Sequence, residues 1–163
     1  MPIRAINAQD TDEIGLVARR MRATLQEVID ERTGVEMYSL DWLKERVLFH
    51  LDPRQCTGAV FVFAEPEQPN VGHTIVRIEE DPDGPFGLFS TTYVEPKARR
   101  QGIADLLLAE GESWMRQHGL RIFRTYTAQD NLKLIRLYEK HGYSIALKVK
   151  EKKMVVLEKV LGP

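Results

Sequence analysis

The stretch from Tyr93 to Ala104 constrains the fold of this chain more than any other. Upstream of it, Phe86 to Val94 is apolar, β-branched and aromatic, and the run stops at Pro96, which has no N–H to give to a ladder. Downstream, Gly102-Ile103-Ala104-Asp105-Leu106-Leu107-Leu108 reads as a helix just starting. A strand, a short basic turn and a helix N-terminus therefore follow one another directly. A helix N-terminus has unpaired N–H groups and the positive end of a dipole, so it takes anions readily. Gly102 and Ala104 let a bulky ligand approach the backbone, and Lys97, Arg99 and Arg100 add positive charge. The predicted chemistry is phosphate binding. No Lys-Ser or Lys-Thr follows Gly102, so this is not a P-loop, and the three-glycine pattern of a dinucleotide fold is absent. A solvated basic turn eased by a glycine is the plain alternative, and these residues alone do not choose between the two.

At 163 residues the chain suits one well-packed domain, 1–163, and is short for two. Its 23 basic and 24 acidic residues leave a formal net charge of -1, which demands neither nucleic acid nor an anionic membrane as partner. Cys56 is the sole cysteine, so no intrachain disulfide forms and no metal-ligand cluster is expected. Met1 to Asp10 holds no apolar core of signal-peptide length and no run is long enough to span a bilayer, so the expected compartment is the cytoplasm.

Taken in order, Ile3 to Ile6 reads as a first strand. Asp10 to Glu13 offers a capping box for a helix with Ile14, Val17, Ala18, Met21, Leu25 and Val28 on one stripe, ended by Thr33-Gly34. Ser39 opens a second helix with Leu40, Leu43, Val47 and Leu51 inward, stopped by Asp52-Pro53. The period then changes. Ala59 to Ala64 is a strand covered on both faces, followed by Val71 to Glu79 and Phe86 to Val94, all joined by short connections and hence antiparallel. The helix after Gly102 runs to about His118 with Ile103, Leu107, Trp114 and Met115 inward, capped by Gly119. Leu120 to Thr127 is then a fifth strand, parallel to the fourth across that helix. Asp130 or Asn131 caps a fourth helix carrying Leu134, Ile135, Leu137 and Tyr138 and closed by His141-Gly142. Tyr143 to Val149 and Met154 to Val160 finish the sheet as a hairpin.

This order of elements, together with two motifs, resembles the GNAT acetyltransferase superfamily. Arg99, Gly102 and Ala104 fill its signature of Arg or Gln, two residues, Gly, one residue, then Gly or Ala. Asn131, Tyr138 and Gly142-Tyr143 fill its second, an Asn seven residues before a Tyr and then a Gly-aromatic pair. The resemblance implies a single-domain α/β fold, a mixed sheet of about seven strands splayed between strands 4 and 5 and flanked by four helices. It implies acetyl-CoA as co-substrate in the gap and no metal. By matching position, Thr92, Tyr93 and Val94 pair with the pantetheine arm as an added strand does. The diphosphate falls on backbone N–H groups of Arg100, Gln101, Gly102, Ile103 and Ala104, beside Arg99. Asn131 matches the residue that hydrogen-bonds the cofactor arm; without the resemblance it reads as a plain N-cap.

The implied function is an N-acetyltransferase moving an acetyl group to a primary amine by direct attack in a ternary complex. Tyr138 matches the family's general acid, a residue that otherwise reads as a core aromatic. The oxyanion is expected on a backbone N–H near Val94. Many members place a Glu on the fourth or fifth strand as base; here those strands offer Ser90, Thr91 and Thr92, then Arg124, Thr125 and Tyr126. Glu79, Glu80 and His73 are the neighbouring candidates, and the acids from Glu79 to Asp83 are a possible lure for a cationic amine. The missing carboxylate keeps a non-catalytic acyl-CoA-binding or regulatory module on the same fold as the alternative. The acceptor stays open between a small molecule and a peptide or protein amine, as does a homodimer through the sheet edge or last strands.

Overall fold

A computed structural model describes residues 2–28 and 39–162, and the side chains of all of these except 25–28. Among them are seven strands: β1 (Ile3–Ala5), β2 (Gly58–Phe63), β3 (Gly72–Asp81), β4 (Gly84–Val94), β5 (Ile122–Ala128), β6 (Ser144–Val149) and β7 (Met154–Val160). Four α-helices accompany them: α1 (Thr11–Val28), α2 (Leu40–Leu51), α3 (Ile103–Gln117) and α4 (Leu132–Lys140). The strands form one sheet in the order β1-β2-β3-β4-β5-β7-β6. All neighbours are antiparallel except β4 and β5, which run parallel because α3 carries the chain back across one face. This is the expected mixed α/β sheet.

The parallel pairing is short. Gly87 faces Phe123, Leu88 faces Arg124 and Phe89 faces Thr125, and there it ends. Beyond that point β4 continues beside β3 to Val94, and β5 continues beside β7 to Ala128. At the same place the β3–β4 register shifts: Ile75 pairs with Thr91 and Val76 with Phe89, so Ser90 is an extra residue. A bulge bends its strand and sharpens the local twist. This one turns the end of β4 away from β5, and it is the physical origin of the expected splay between strands 4 and 5.

The two sheet faces have separate cores. Under α1 and α2, Val17, Ala18, Leu43 and Val47 pack on Val60, Val62 and Ile75. Under α3 and α4, Leu108, Met115, Ile135 and Tyr138 pack on Val76, Phe89, Phe123 and Leu157. Ile14, Val17, Ala18 and Met21 are buried as their helical spacing requires. Leu25 and Val28 on the same stripe, and the Thr33-Gly34 stop, lie outside the described side chains and residues. Among the described residues no helix is long and apolar enough to cross a membrane.

Two strand starts differ from expectation for one reason. Leu120 donates its N–H to Met115 O (3.1 Å) and Tyr143 donates to Tyr138 O (3.1 Å). Each follows a glycine with positive φ, Gly119 at 75° and Gly142 at 93°. That six-to-one bond is a Schellman cap, so the apolar residue after the glycine belongs to the helix end and the strand begins one or two residues later. At the start of α1 Asp10 accepts the Glu13 N–H at 3.0 Å, but Glu13 does not close the box. It bonds instead to Arg4 (2.8 Å) and to Asn70 (3.0 Å). Asn70 accepts from Arg20, whose Nε reaches Glu95 at 2.7 Å. This buried relay ties α1 to the segment that leaves β4.

Candidate active site

A cavity of about 710 Å3 occupies the gap that the bulge opens. Its walls are the ends of β4 and β5, the start of α4, and one face each of α1 and α2. Backbone direction decides what β4 offers. The Glu95 N–H donates to Val71 O at 2.8 Å, toward β3. Along a strand, successive residues alternate sides, so Tyr93 also bonds toward β3 while Thr92 and Val94 present their N–H and C=O to the gap. The Val94 carbonyl accepts from Arg99 Nε at 2.7 Å. Tyr93 contributes its ring, with the Arg99 guanidinium 5.4 Å from the centroid.

The loop before α3 carries the second feature. Pro96–Ala98 form a single 3-10 turn, and Arg100 and Gly102 then take φ of 66° and 78°. Among the described residues, no protein acceptor takes the backbone N–H groups from Arg100 to Asp105. A Cβ built on Gly102 meets nothing within 4 Å, so open space lies beside this helix start. Asp105, the acid of the first turn, is drawn off by His141 (2.7 Å) and Lys140 (2.9 Å). Those hydrogen bonds hold its carboxyl below the usual range, with the His141 bond the larger cause. Ile103 is buried with Phe63, Val94 and Leu107, so only its backbone faces outward, and Arg100, Gln101 and Gly102 are exposed. These four stand outside the cavity wall, whereas Thr92, Tyr93, Val94, Arg99, Ala104, Asn131 and Tyr138 line it.

Tyr138 is 1% exposed, clasped edge-on by Phe89 at 5.6 Å and Tyr143 at 4.9 Å. Its hydroxyl meets the hydroxyls of Thr92 and Thr125. Burial pushes the phenol well above its ordinary value, the two threonine bonds pull the other way, and the Glu112 charge raises it further. The group is protonated at neutral pH. Behind it lies a charged cluster that the sequence did not announce. Glu112, 5% exposed, accepts from Tyr143 Oη at 2.6 Å and from Lys159 Nζ at 3.2 Å. Asn131 caps α4, but its bonds to Leu134 N (3.4 Å) and Thr127 Oγ1 (3.3 Å) are both long, so the amide is loosely held.

At the other end of the cavity, Trp42, Arg46 and His50 recur every fourth residue and wall it from one face of α2. His50 Nδ1 bonds to Arg46 O at 2.7 Å, and its Nε2 takes Arg77 at 3.0 Å. Arg77 in turn gives its Nε to Glu79 at 2.5 Å. Hence Glu79 is an ion-pair partner outside the cavity wall, and Asp81 is bound to Arg124 at 2.5 Å on the far side of the sheet end. Glu80 and Asp83 do not line the cavity either. His73 is fully buried, with Nε2 on Thr91 Oγ1 at 3.0 Å and Nδ1 without a partner.

Burial lowers the His73 pKa to about 3 and that of His50 to about 4. Both folded-state values lie below the ordinary one of about 6.5, so the unfolded chain binds protons that the folded one refuses. Stability is therefore complete above pH ~6.5 and falls as pH drops toward 4, by about 1.4 kcal/mol per unit for each ring. Urea midpoints taken from pH 7.5 to 4.5 will decline accordingly. The decline will be shallower in His73→Gln, and midpoints flat over this range would contradict the burial of both rings.

A family model described as the Acetyltransferase (GNAT) family matches residues 22–143. No curated protein matches the chain. Solved structures share its fold across nearly its whole length. The PaiA N-acetyltransferase of Thermoplasma acidophilum, solved with coenzyme A, is 19% identical with a TM-score of 0.75, covering 97% of each chain. The ribosomal-protein-alanine N-acetyltransferase of Brucella melitensis is 18% identical with a TM-score of 0.75, over 99% of this chain and 100% of that one. A GNAT-family acetyltransferase of Streptococcus pneumoniae is 16% identical with a TM-score of 0.70, covering 98% of each.

Proposed function

The chain belongs to the acetyltransferase (GNAT) family, and from that premise we propose that it is an N-acetyltransferase carrying acetyl from acetyl-CoA to a primary amine by direct attack in a ternary complex. One observation carries the reading: pairing stops at Phe89 and Thr125, and the opened gap receives the Thr92 backbone groups and the Val94 N–H, with the Val94 carbonyl held by Arg99. Those groups suit the amides of a pantetheine arm, which add to β4 as an edge strand does. The Tyr93 ring and Arg99 flank that path, and the loosely held Asn131 amide can turn to it. The diphosphate suits the N–H groups of Arg100, Gln101, Gly102, Ile103 and Ala104, where the α3 dipole is positive and the Gly102 side is open.

The chemistry forms a C–N bond and breaks a C–S bond. An amine of pKa ~10.4 must first shed a proton, at a cost of roughly 4.6 kcal/mol at pH 7. Among the described residues no carboxylate lines the cavity; a water relay, or an amine that arrives partly deprotonated, meets that need. The Val94 N–H is aimed where the carbonyl oxygen gathers charge. Tyr138 then gives its hydroxyl proton to the departing thiolate, while the Thr92 hydroxyl, which can accept from Thr74, steadies the phenolate. A phenol this high transfers uphill to a thiolate of conjugate-acid pKa ~8.5. Burial of the sulfur narrows that gap, because the same desolvation raises the thiol.

Calorimetry with acetyl-CoA, followed by a CoA-release assay on primary amines, peptide N-termini and lysine peptides, tests this. Binding with turnover on at least one amine is expected. Tight binding with no turnover on any of them would favour the non-catalytic acyl-CoA module that the absent carboxylate also suits. Absence of binding would end both readings.

A further inference from the structure

The described cavity wall is all of one sign. Arg46, Arg77, Arg99 and Lys133 line it and no Asp or Glu does. Arg99 and Lys133 stand beside the start of α3 and on the first turn of α4, where a diphosphate would account for them. Arg46 and Arg77 stand at the opposite end, beyond Ser90 and Thr91, away from the α3 start where the diphosphate is proposed to sit. Arg77 is partly compensated: Glu79 takes its Nε and His50 Nε2 accepts from Nη1. His50 adds no negative charge, since its Nδ1 proton is committed to Arg46 O. Arg46 rests its guanidinium 4.3 Å from the Phe49 ring centroid and 5.9 Å from that of Trp42, and it has no carboxylate partner among the described residues. Partial burial and repulsion from Arg77 both lower its pKa. Among the described residues, two guanidiniums share one carboxylate in a pocket walled by Trp42, Met21 and Leu43, which leaves a net positive charge facing the space where an acceptor must lie.

We propose that the acceptor is a small amine that carries its own anionic group, a carboxylate or a phosphate, held by Arg46 with Arg77 while the amine points toward Thr92 and Tyr138. This rests on the acetyltransferase reading given above. The fork of a guanidinium matches a carboxylate or phosphate edge in two parallel bonds, and it does so best where aromatic rings exclude water. Ser90 also lines this part of the cavity, as do Thr24 and Thr91, whose hydroxyls bond to Arg20 O and His73 Nε2. A cationic polyamine meets the opposite environment and is excluded, and the acids between Glu79 and Asp83 do not line the cavity.

Matched pairs of amines separate these cases: an α-amino acid against its amide, and phosphoethanolamine against ethanolamine, with spermidine as the cationic comparison. In the CoA-release assay the anionic member of at least one pair will have the higher kcat/KM by about tenfold or more. The pair with the larger ratio tells carboxylate from phosphate. Arg46→Gln will remove that preference through KM, leaving the KM for acetyl-CoA as it was. Equal or better turnover of the amides, of ethanolamine or of spermidine overturns the inference while leaving the acetyltransferase reading intact. Calorimetric titration of the CoA-loaded protein with the same compounds gives a readout that does not need turnover. Heat from an anionic amine that Arg46→Gln abolishes supports the subsite even if no acetyl moves, and no heat from either anionic compound overturns it.

Discussion

Gly102→Glu lowers acetyl-CoA affinity at least a hundredfold while the protein stays folded. Gly102 holds φ of 78° and its missing Cβ points into open space. A side chain there costs roughly 1–2 kcal/mol of backbone strain and creates no clash, so the fold tolerates it. What it adds is a carboxylate beside N–H groups proposed to hold a diphosphate. Two unit charges about 4 Å apart at an effective dielectric near 20 repel by ~4 kcal/mol, more than two powers of ten in affinity. Gly102→Ala carries the strain without the charge, and it should lose stability but keep most of its affinity. Calorimetry on the two variants separates the terms; wild-type affinity in Gly102→Glu would remove the phosphate site from the start of α3.

Tyr138→Phe lowers kcat by two to four powers of ten, the usual range for a lost general acid, and leaves acetyl-CoA affinity nearly unchanged. Phe keeps the edge-on contacts with Phe89 and Tyr143, so the buried ring remains packed. Neither threonine is stranded. Thr125 Oγ1 donates to Phe89 O at 3.1 Å and Thr92 Oγ1 shares a bond with Thr74 Oγ1 at 2.8 Å. The variant is thus a clean deletion of one hydroxyl, readable in single-turnover CoA release. Equal rates would assign Tyr138 to packing alone and leave the thiolate to be protonated by water.

The elements of this chain were legible because each is written in adjacent residues. The β4 run ended by Pro96, the glycine-opened α3 and the Asn131-capped α4 are local signals, and the parallel pairing of β4 with β5 follows from chain handedness. Their ends were less legible. Leu120 and Tyr143 are as apolar as any strand residue, and only the positive φ of the glycine before each shows that they cap helices. The motif residues Arg99, Asn131 and Tyr138 were findable by spacing, and the structure brings all three to one cavity.

Other parts carried no local signal. Glu112 sits in α3 like any surface acid, and it is buried only because Tyr143 comes to it from the end of α4 and Lys159 from β7. Arg46 and His50 occupy ordinary polar positions on an amphipathic helix until Arg77 arrives from β3. Glu79, read alone, is a free acid; paired with Arg77 it is spent. By itself, then, the sequence determined the elements, their order and the anion-seeking start of α3, since these depend on dihedral preference and hydrophobic period over a few neighbours. Tertiary structure alone decided where the sheet parts, at the Ser90 bulge, and which charged side chains line the opening. Both are sums over groups tens of residues apart, and no periodicity along the chain records which side chains those groups will meet.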